Sequence, residues 1–273
     1  MNRTLPSIVA VSAFLATATT MYSQQPTRSP RYASILYLKV QPEKEAAFVD
    51  FYKTGLGMKV AKARLKNDST VTNWSIRRAV YSGYPAPEAN YTITTNMNTA
   101  PGEPNTAKRD ALIRSVTDLT YPVYMEKVRA LSQLVGNTLS HVHDVTPGME
   151  LNEGDVVVAR RLKVASGKLS ELSTANSSVR LAIMTERVKA GDLKGWSFSH
   201  LSFGGSELAW DANENMFYKD MASALQQNTP NSGMAIFAKL FPDRNFTRYV
   251  EEQRESSKLV RTDVYRVLVS LHQ

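Results

Sequence analysis

The sequence predicts an α+β fold of two tandem β-α-β-β-α-β units, and three observations support this. Short apolar or alternating segments are interleaved with longer amphipathic ones, as strands and helices would be. The stretch VTNWSIRRAVYSG at 71–83 returns as LKGWSFSHLSFGG at 193–205. Landmarks of the two halves also keep nearly one spacing: Trp74 to Trp196 is 122 residues, Val40 to Val164 is 124, and Asp144 to Asp263 is 119. Identity between the halves is low, so the order of the landmarks carries the repeat. A β-α-β-β-α-β unit is the ferredoxin-like split motif, with helices on one face of a four-stranded sheet. Its open face must be buried, so the two antiparallel sheets are expected to pack face to face.

Ala33 to Val40 (ASILYLKV) reads as the first strand, stopped by Gln41-Pro42. Glu43 to Lys66 has helical apolar spacing, with a kink expected at Gly55 and Gly57. Trp74 to Tyr81 alternates, with Trp74, Ile76 and Val80 on one face and Ser75, Arg77 and Ala79 on the other. After the turn GYPAPEAN, Tyr91 to Met97 is a third strand. Ala107 to Gly136 is largely helical with an interruption at Pro122, and Thr138 to Val145 is a fourth strand. The pattern restarts after PGMELNEGD: Val156 to Val164 as strand, Lys168 to Lys189 as helix, Trp196 to Phe203 as strand. Residues 213–227 and 234–257 read as helical, which leaves the third strand of this half without a convincing segment. Leu259 to Leu268 closes the chain as a strand, with His272 in a frayed tail.

The N-terminus has a leader pattern. Arg3 gives a positive start, Leu5 to Ala18 is apolar but too short to span a bilayer, and small residues follow. We expect a signal peptide over 1–23, a first repeat over 24–148 and a second over 149–273. An exported, periplasmic or extracellular bacterial protein would result, with no stable membrane anchor after cleavage. The chain has no cysteine, which removes disulfides, thiolate nucleophiles and thiolate metal sites. Its formal charge of +8 falls to about +7 without Arg3. The basic residues are scattered and lack an aromatic-interleaved stripe, so nucleic acid is not an expected partner. A small molecule is the candidate partner, and the sequence leaves the oligomeric state undefined.

Given this strand–helix–strand order and the paired Trp-led strands at 74–81 and 196–203, the chain resembles the dimeric α/β-barrel superfamily, with both halves fused. The resemblance spans about 110 residues per half and has no diagnostic motif, so it acts at the level of fold. It implies a range of activities, from haem-handling enzymes and small monooxygenases to proteins without assigned activity.

Four histidines are present: His141, His143, His200 and His272. His141 and His143 lie two apart on one strand and share a face, a spacing that makes them weak candidates for a metal pair. Strict alternation turns Asp144 away, so the obvious third ligand is missing. No cofactor signature is evident, which leaves haem and flavin open. Aligning the tryptophans sets Arg78 opposite His200, each on the face of its apolar Trp. A cationic or titratable group there needs a partner or a wet cavity. Arg78, His200, His141 and Tyr37 are therefore the ligand-pocket candidates, expected to project between the two sheets. Motifs for acyl transfer, nucleotide phosphates, dinucleotides and zinc peptidases are absent from the sequence. Three readings follow: a small-molecule-binding protein, a barrel-type oxidoreductase or isomerase, and a surface interaction protein without a pocket. The catalytic residues stay unassigned.

Overall fold

The computed structural model describes residues 31–83, 89–204, 208–226 and 231–273. The expected signal peptide, the turn around Tyr84 and Gly205 lie outside the described residues. Eight strands form one closed antiparallel barrel in the order β1-β3-β2-β8-β5-β7-β6-β4. In chain order they are β1 (Arg31–Lys39), β2 (Val71–Ser82), β3 (Tyr91–Met97), β4 (Gln133–Val145), β5 (Val156–Val164), β6 (Gly195–Phe203), β7 (Ala212–Tyr218) and β8 (Ser257–His272).

This barrel corrects the predicted tandem repeats with sheets packed face to face. The strands of the two halves are joined edge to edge, β2 to β8 and β4 to β6, in a single continuous sheet. The reason lies in which face is apolar. The Trp-bearing face of each strand is covered by the chain's own helices, and the opposite face is too polar to stack dry against a second sheet. Edge-to-edge joining leaves no free backbone edge and turns the polar face inward.

The helices lie outside the barrel. On the first half these are α1 (Glu45–Lys53), α2 (Leu56–Asn67), α3 (Thr106–Arg114) and α4 (Tyr121–Leu131). Gly55 separates α1 from α2, and a side chain at Gly57 would collide with the Tyr52 ring, 2.5 Å from its Cβ position. Pro122 starts α4 rather than interrupting one long helix, as proline in a first turn can. Beneath α1 and α2, Trp74, Ile76, Phe48, Tyr52 and Tyr91 form one buried cluster.

On the second half, α5 (Leu169–Ala175), a π-helical turn over Asn176–Arg180 and α6 (Leu181–Lys189) form a nearly continuous rod. α7 (Met221–Gln226), α8 (Asn231–Leu240) and α9 (Phe246–Ser256) follow β7, and Asn245 caps α9 by accepting from the Arg248 amide at 3.0 Å. Trp196 and Phe198 are fully buried among Leu172, Leu181 and Met184. Both tryptophans are thus packing anchors of the outer core.

The stretch that read as helical at 213–227 begins with strand β7, paired with both β5 and β6. It escapes pattern reading because Asn213 and Asn215 face the lumen while Glu214 occupies an outer-core position, so neither face reads as apolar. Glu214 is 6% exposed and accepts from Trp196 Nε1 at 2.9 Å, Arg180 at 2.7 Å and Arg160 at 2.6 Å. Burial raises its pKa, but the two guanidiniums and the indole prevail and hold it near 2. Since the folded value lies below the free one, this carboxylate stabilises the fold above the ordinary carboxylate range. The contribution fades as pH falls toward 2. We predict that Glu214→Ala, which strands two arginines, costs about 3–5 kcal/mol in urea unfolding at pH 7. The gap from wild type should shrink as the pH falls through the acid range.

Candidate functional site

Closure of the barrel decides which residues can form a site. Alternation sends Arg77, Thr92, Thr94, Ser140, Ala159, Arg161, Ser197, Ser199 and Asn213 inward, where they surround a cavity of about 450 Å³. An eight-stranded barrel is of the size that either fills with side chains or holds one small ligand, and this volume lies in the range of small-molecule sites. The cavity reaches the barrel end carrying Arg31, Thr72 and Asn98, where Arg31 and Thr72 are exposed. Ile35, Val142, Met149 and Phe217 give part of its wall an apolar surface.

The charged groups lie deeper. Arg161, 3% exposed, donates to Asn213 Oδ1 at 2.5 Å and to Asp263 Oδ2 at 3.4 Å. Its guanidinium also stacks 4.6 Å from the Trp210 ring centre. Burial opposes its charge, but Tyr37, Tyr265 and Asp263 favour it, and the pKa rises. Arg77 differs. It is 9% exposed, its one hydrogen bond runs to Ser75 Oγ at 3.3 Å, and among the described residues it has no carboxylate partner. Burial, with Arg161 adding to it against the pull of Tyr265 and Tyr37, lowers its pKa to about 10. It stays a cation at neutral pH. Nearby, the buried hydroxyls of Tyr37, Thr94, Thr138 and Ser140 lack any protein partner. Ile35 is the register partner of both Thr94 and Thr138, which places these hydroxyls on its inward face. A buried cation without a carboxylate counter-ion among the described residues thus shares one lumen with several hydroxyls that have no protein partner.

The predicted candidates separate. Tyr37 lies at the cationic end of the lumen. Arg78, one residue past Arg77, points outward and pairs with Glu45 of α1 at 3.0 Å, so it does not project between sheets. The same Glu45 carboxylate accepts from Tyr91 Oη at 2.5 Å. His200 also lies on the outer face, and β8, β5 and β7 separate its strand from β2. Pattern reading places Arg77 on the face opposite Trp74 and does not single it out. Its signal is an arginine two residues after Ser75, on the face opposite buried Trp74 and Ile76.

His141 and His143 share the outer face of β4 with His200 of β6. His141 is the register partner of His200, with ring centres 5.4 Å apart. His143 Nε2 lies 2.5 Å from His200 Nδ1. The register slips between Val142 and Asp144, so His143 is the extra residue of a β-bulge. The bulge breaks strict alternation: Asp144 pairs with outward Phe198, and its carboxylate accepts from Ser177 Oγ at 2.6 Å. All three rings are half-buried. Burial together with the neighbouring imidazoles lowers the pKa of His143 to about 4, and burial and His141 lower that of His200. His272 is no frayed tail residue. It ends β8 at the rim of the lumen and contacts the Leu151 carbonyl at 2.8 Å. Haem needs an axial histidine facing an apolar slot. Among the described residues the lumen's one histidine is His272, engaged at the rim, while the other three sit outside, so the lumen offers haem no free axial imidazole.

No protein-family model matches the chain, and no curated protein sequence is similar to it. Solved structures do superpose. One named "putative monooxygenase" from Lactobacillus acidophilus NCFM has a TM-score of 0.56 at 10% identity, over 89% of this chain and 97% of that one. A second of the same name from Fusobacterium nucleatum subsp. nucleatum gives 0.55 at 10% identity, over 90% and 96%. An anthrone oxidase-like protein gives 0.52 at 9% identity, over 89% and 93%. All three superpose over most of both chains, which shows a shared fold. At these identities the likeness concerns fold.

The lumen's energetics are testable without a ligand. Arg77→Met removes a buried unpaired cation while keeping bulk, and should stabilise the protein by on the order of 1 kcal/mol. That corresponds to a rise of about 2–4 °C in thermal midpoint for a chain of this size. A lower midpoint would mean that Arg77 is held by the fold itself.

Proposed function

We propose that the protein is an exported receptor for a small organic anion, bound inside the barrel with its carboxylate or other oxyanion on Arg77 and its apolar body toward Ile35, Val142 and Phe217. The observation behind this reading is the Arg77 guanidinium, buried at the lumen wall without a carboxylate partner among the described residues. A ligand oxyanion would supply its counter-ion, and Thr94 and Ser140 would donate further hydrogen bonds. Export rests on the leader-like segment 1–23. N-terminal sequencing of the processed protein checks it, with a start near Gln24 expected.

An oxidoreductase of the α/β-barrel type is a second reading. It is favoured by the enclosed lumen, where the Tyr37 and Tyr265 phenols stand beside two arginines, and by the names of the similar structures. Visible absorption of the purified protein separates the two readings, since a bound haem or flavin would be coloured.

For the receptor reading, benzoate, octanoate and inorganic phosphate serve as probes in calorimetric titration. One organic carboxylate should bind saturably at one site per chain, and Arg77→Met should weaken it at least tenfold. Equal binding by wild type and Arg77→Met would remove the lumen from consideration.

A further inference from the structure

We propose that His141, His143 and His200 bind one divalent transition-metal ion on the outer face of the barrel, across the β4–β6 seam. One ring nitrogen from each histidine lies within 4.8 Å of the other two. Three imidazoles converging on one point are the usual protein share of an open zinc-type site, in which a fourth position is left for water or substrate. Register sets the arrangement. His200 faces His141 directly, and the bulge at His143 brings the third ring to the same spot.

The close approach of His143 Nε2 to His200 Nδ1, 2.5 Å, leaves room for one shared proton or for a cation that takes both lone pairs. Around a tetrahedral ion with Zn–N bonds of about 2.0–2.1 Å, ligating nitrogens stand about 3.3 Å apart. The His143–His200 pair therefore needs to open by less than about 1 Å, and the His141 nitrogen, within 4.8 Å of both, to close by at most about 1.5 Å. Their orientations are already restricted: Tyr32 meets His141 edge-on at 5.3 Å, and Phe198 stacks on His143 at 5.9 Å. Neutral nitrogen donors without carboxylates favour zinc, copper, nickel or cobalt over calcium or magnesium. Asp144 stays outside this donor set, since it is committed to Ser177. The site is separate from the lumen, so neither proposal depends on the other.

The test uses the untagged protein, because a polyhistidine tag would mask the result. After chelator treatment and buffer exchange, ZnCl₂ is titrated calorimetrically and CuCl₂ is followed by electron paramagnetic resonance. One zinc ion per chain should bind in the micromolar range or tighter, and the copper spectrum should show coupling to about three imidazole nitrogens. His143→Gln and His200→Gln should each weaken zinc at least tenfold. Circular dichroism and thermal midpoints establish that the variants fold, and His141→Asn provides an independent third arm if one of them does not. A wild-type titration without a saturable site, or zinc affinity unchanged in the folded variants, would overturn the proposal and leave a histidine cluster that shares a proton.

Discussion

Edge-to-edge pairing of β2 with β8 and of β4 with β6 is the constraint on which the rest of the molecule depends. Once those seams close the sheet, each strand residue has two destinations, the helix-covered outside or the lumen. The outside receives Trp74, Ile76, Trp196 and Phe198, which the helices bury. The lumen receives the arginines, threonines and serines of the alternate positions. Neither face alone would make a stable isolated sheet, and closure satisfies both while removing the unpaired edges.

Much of this was legible in the sequence, and the failures have physical causes. The Trp-led strands β2 and β6 alternate cleanly because one face is a continuous apolar surface under helices. The same alternation suggested stacked sheets, since an apolar strand face demands a cover and pattern alone does not say whether a helix or a sheet supplies it. The inward run Ser75, Arg77 with Thr92 and Thr94 was the counter-signal, because such a face has no reason to meet another sheet dry. Strand β7 was hidden by Glu214, an acid placed in the outer core and neutralised by Arg160 and Arg180 from distant segments. Long-range ion pairs of this kind leave no local periodicity. The His143 bulge was equally invisible, being a property of how two strands meet.

The two Trp-led strands also differ in what they send to the lumen. Aligning the tryptophans pairs Arg78 with His200, but both lie outside, in unrelated surroundings. One residue earlier, Arg77 pairs with Ser199, and both line the lumen. By the spacing of Val40 and Val164, Tyr37 is the counterpart of Arg161, again at the cationic end. The lumen is therefore asymmetric: each half supplies one buried arginine, Arg77 and Arg161, but the acid that steadies Arg161, Asp263, comes from β8. Among the described residues Arg77 has no such acid. Natural proteins carry such unsatisfied groups where a ligand completes them.

Occupancy of the lumen is tested most directly by diffraction from crystals grown with 4-bromobenzoate, with data collected at the bromine absorption edge. We predict one anomalous bromine peak inside the barrel on the mouth side of Arg77, with the carboxylate against its guanidinium. A lumen holding only water, with bromine peaks confined to the outer surface, would contradict it.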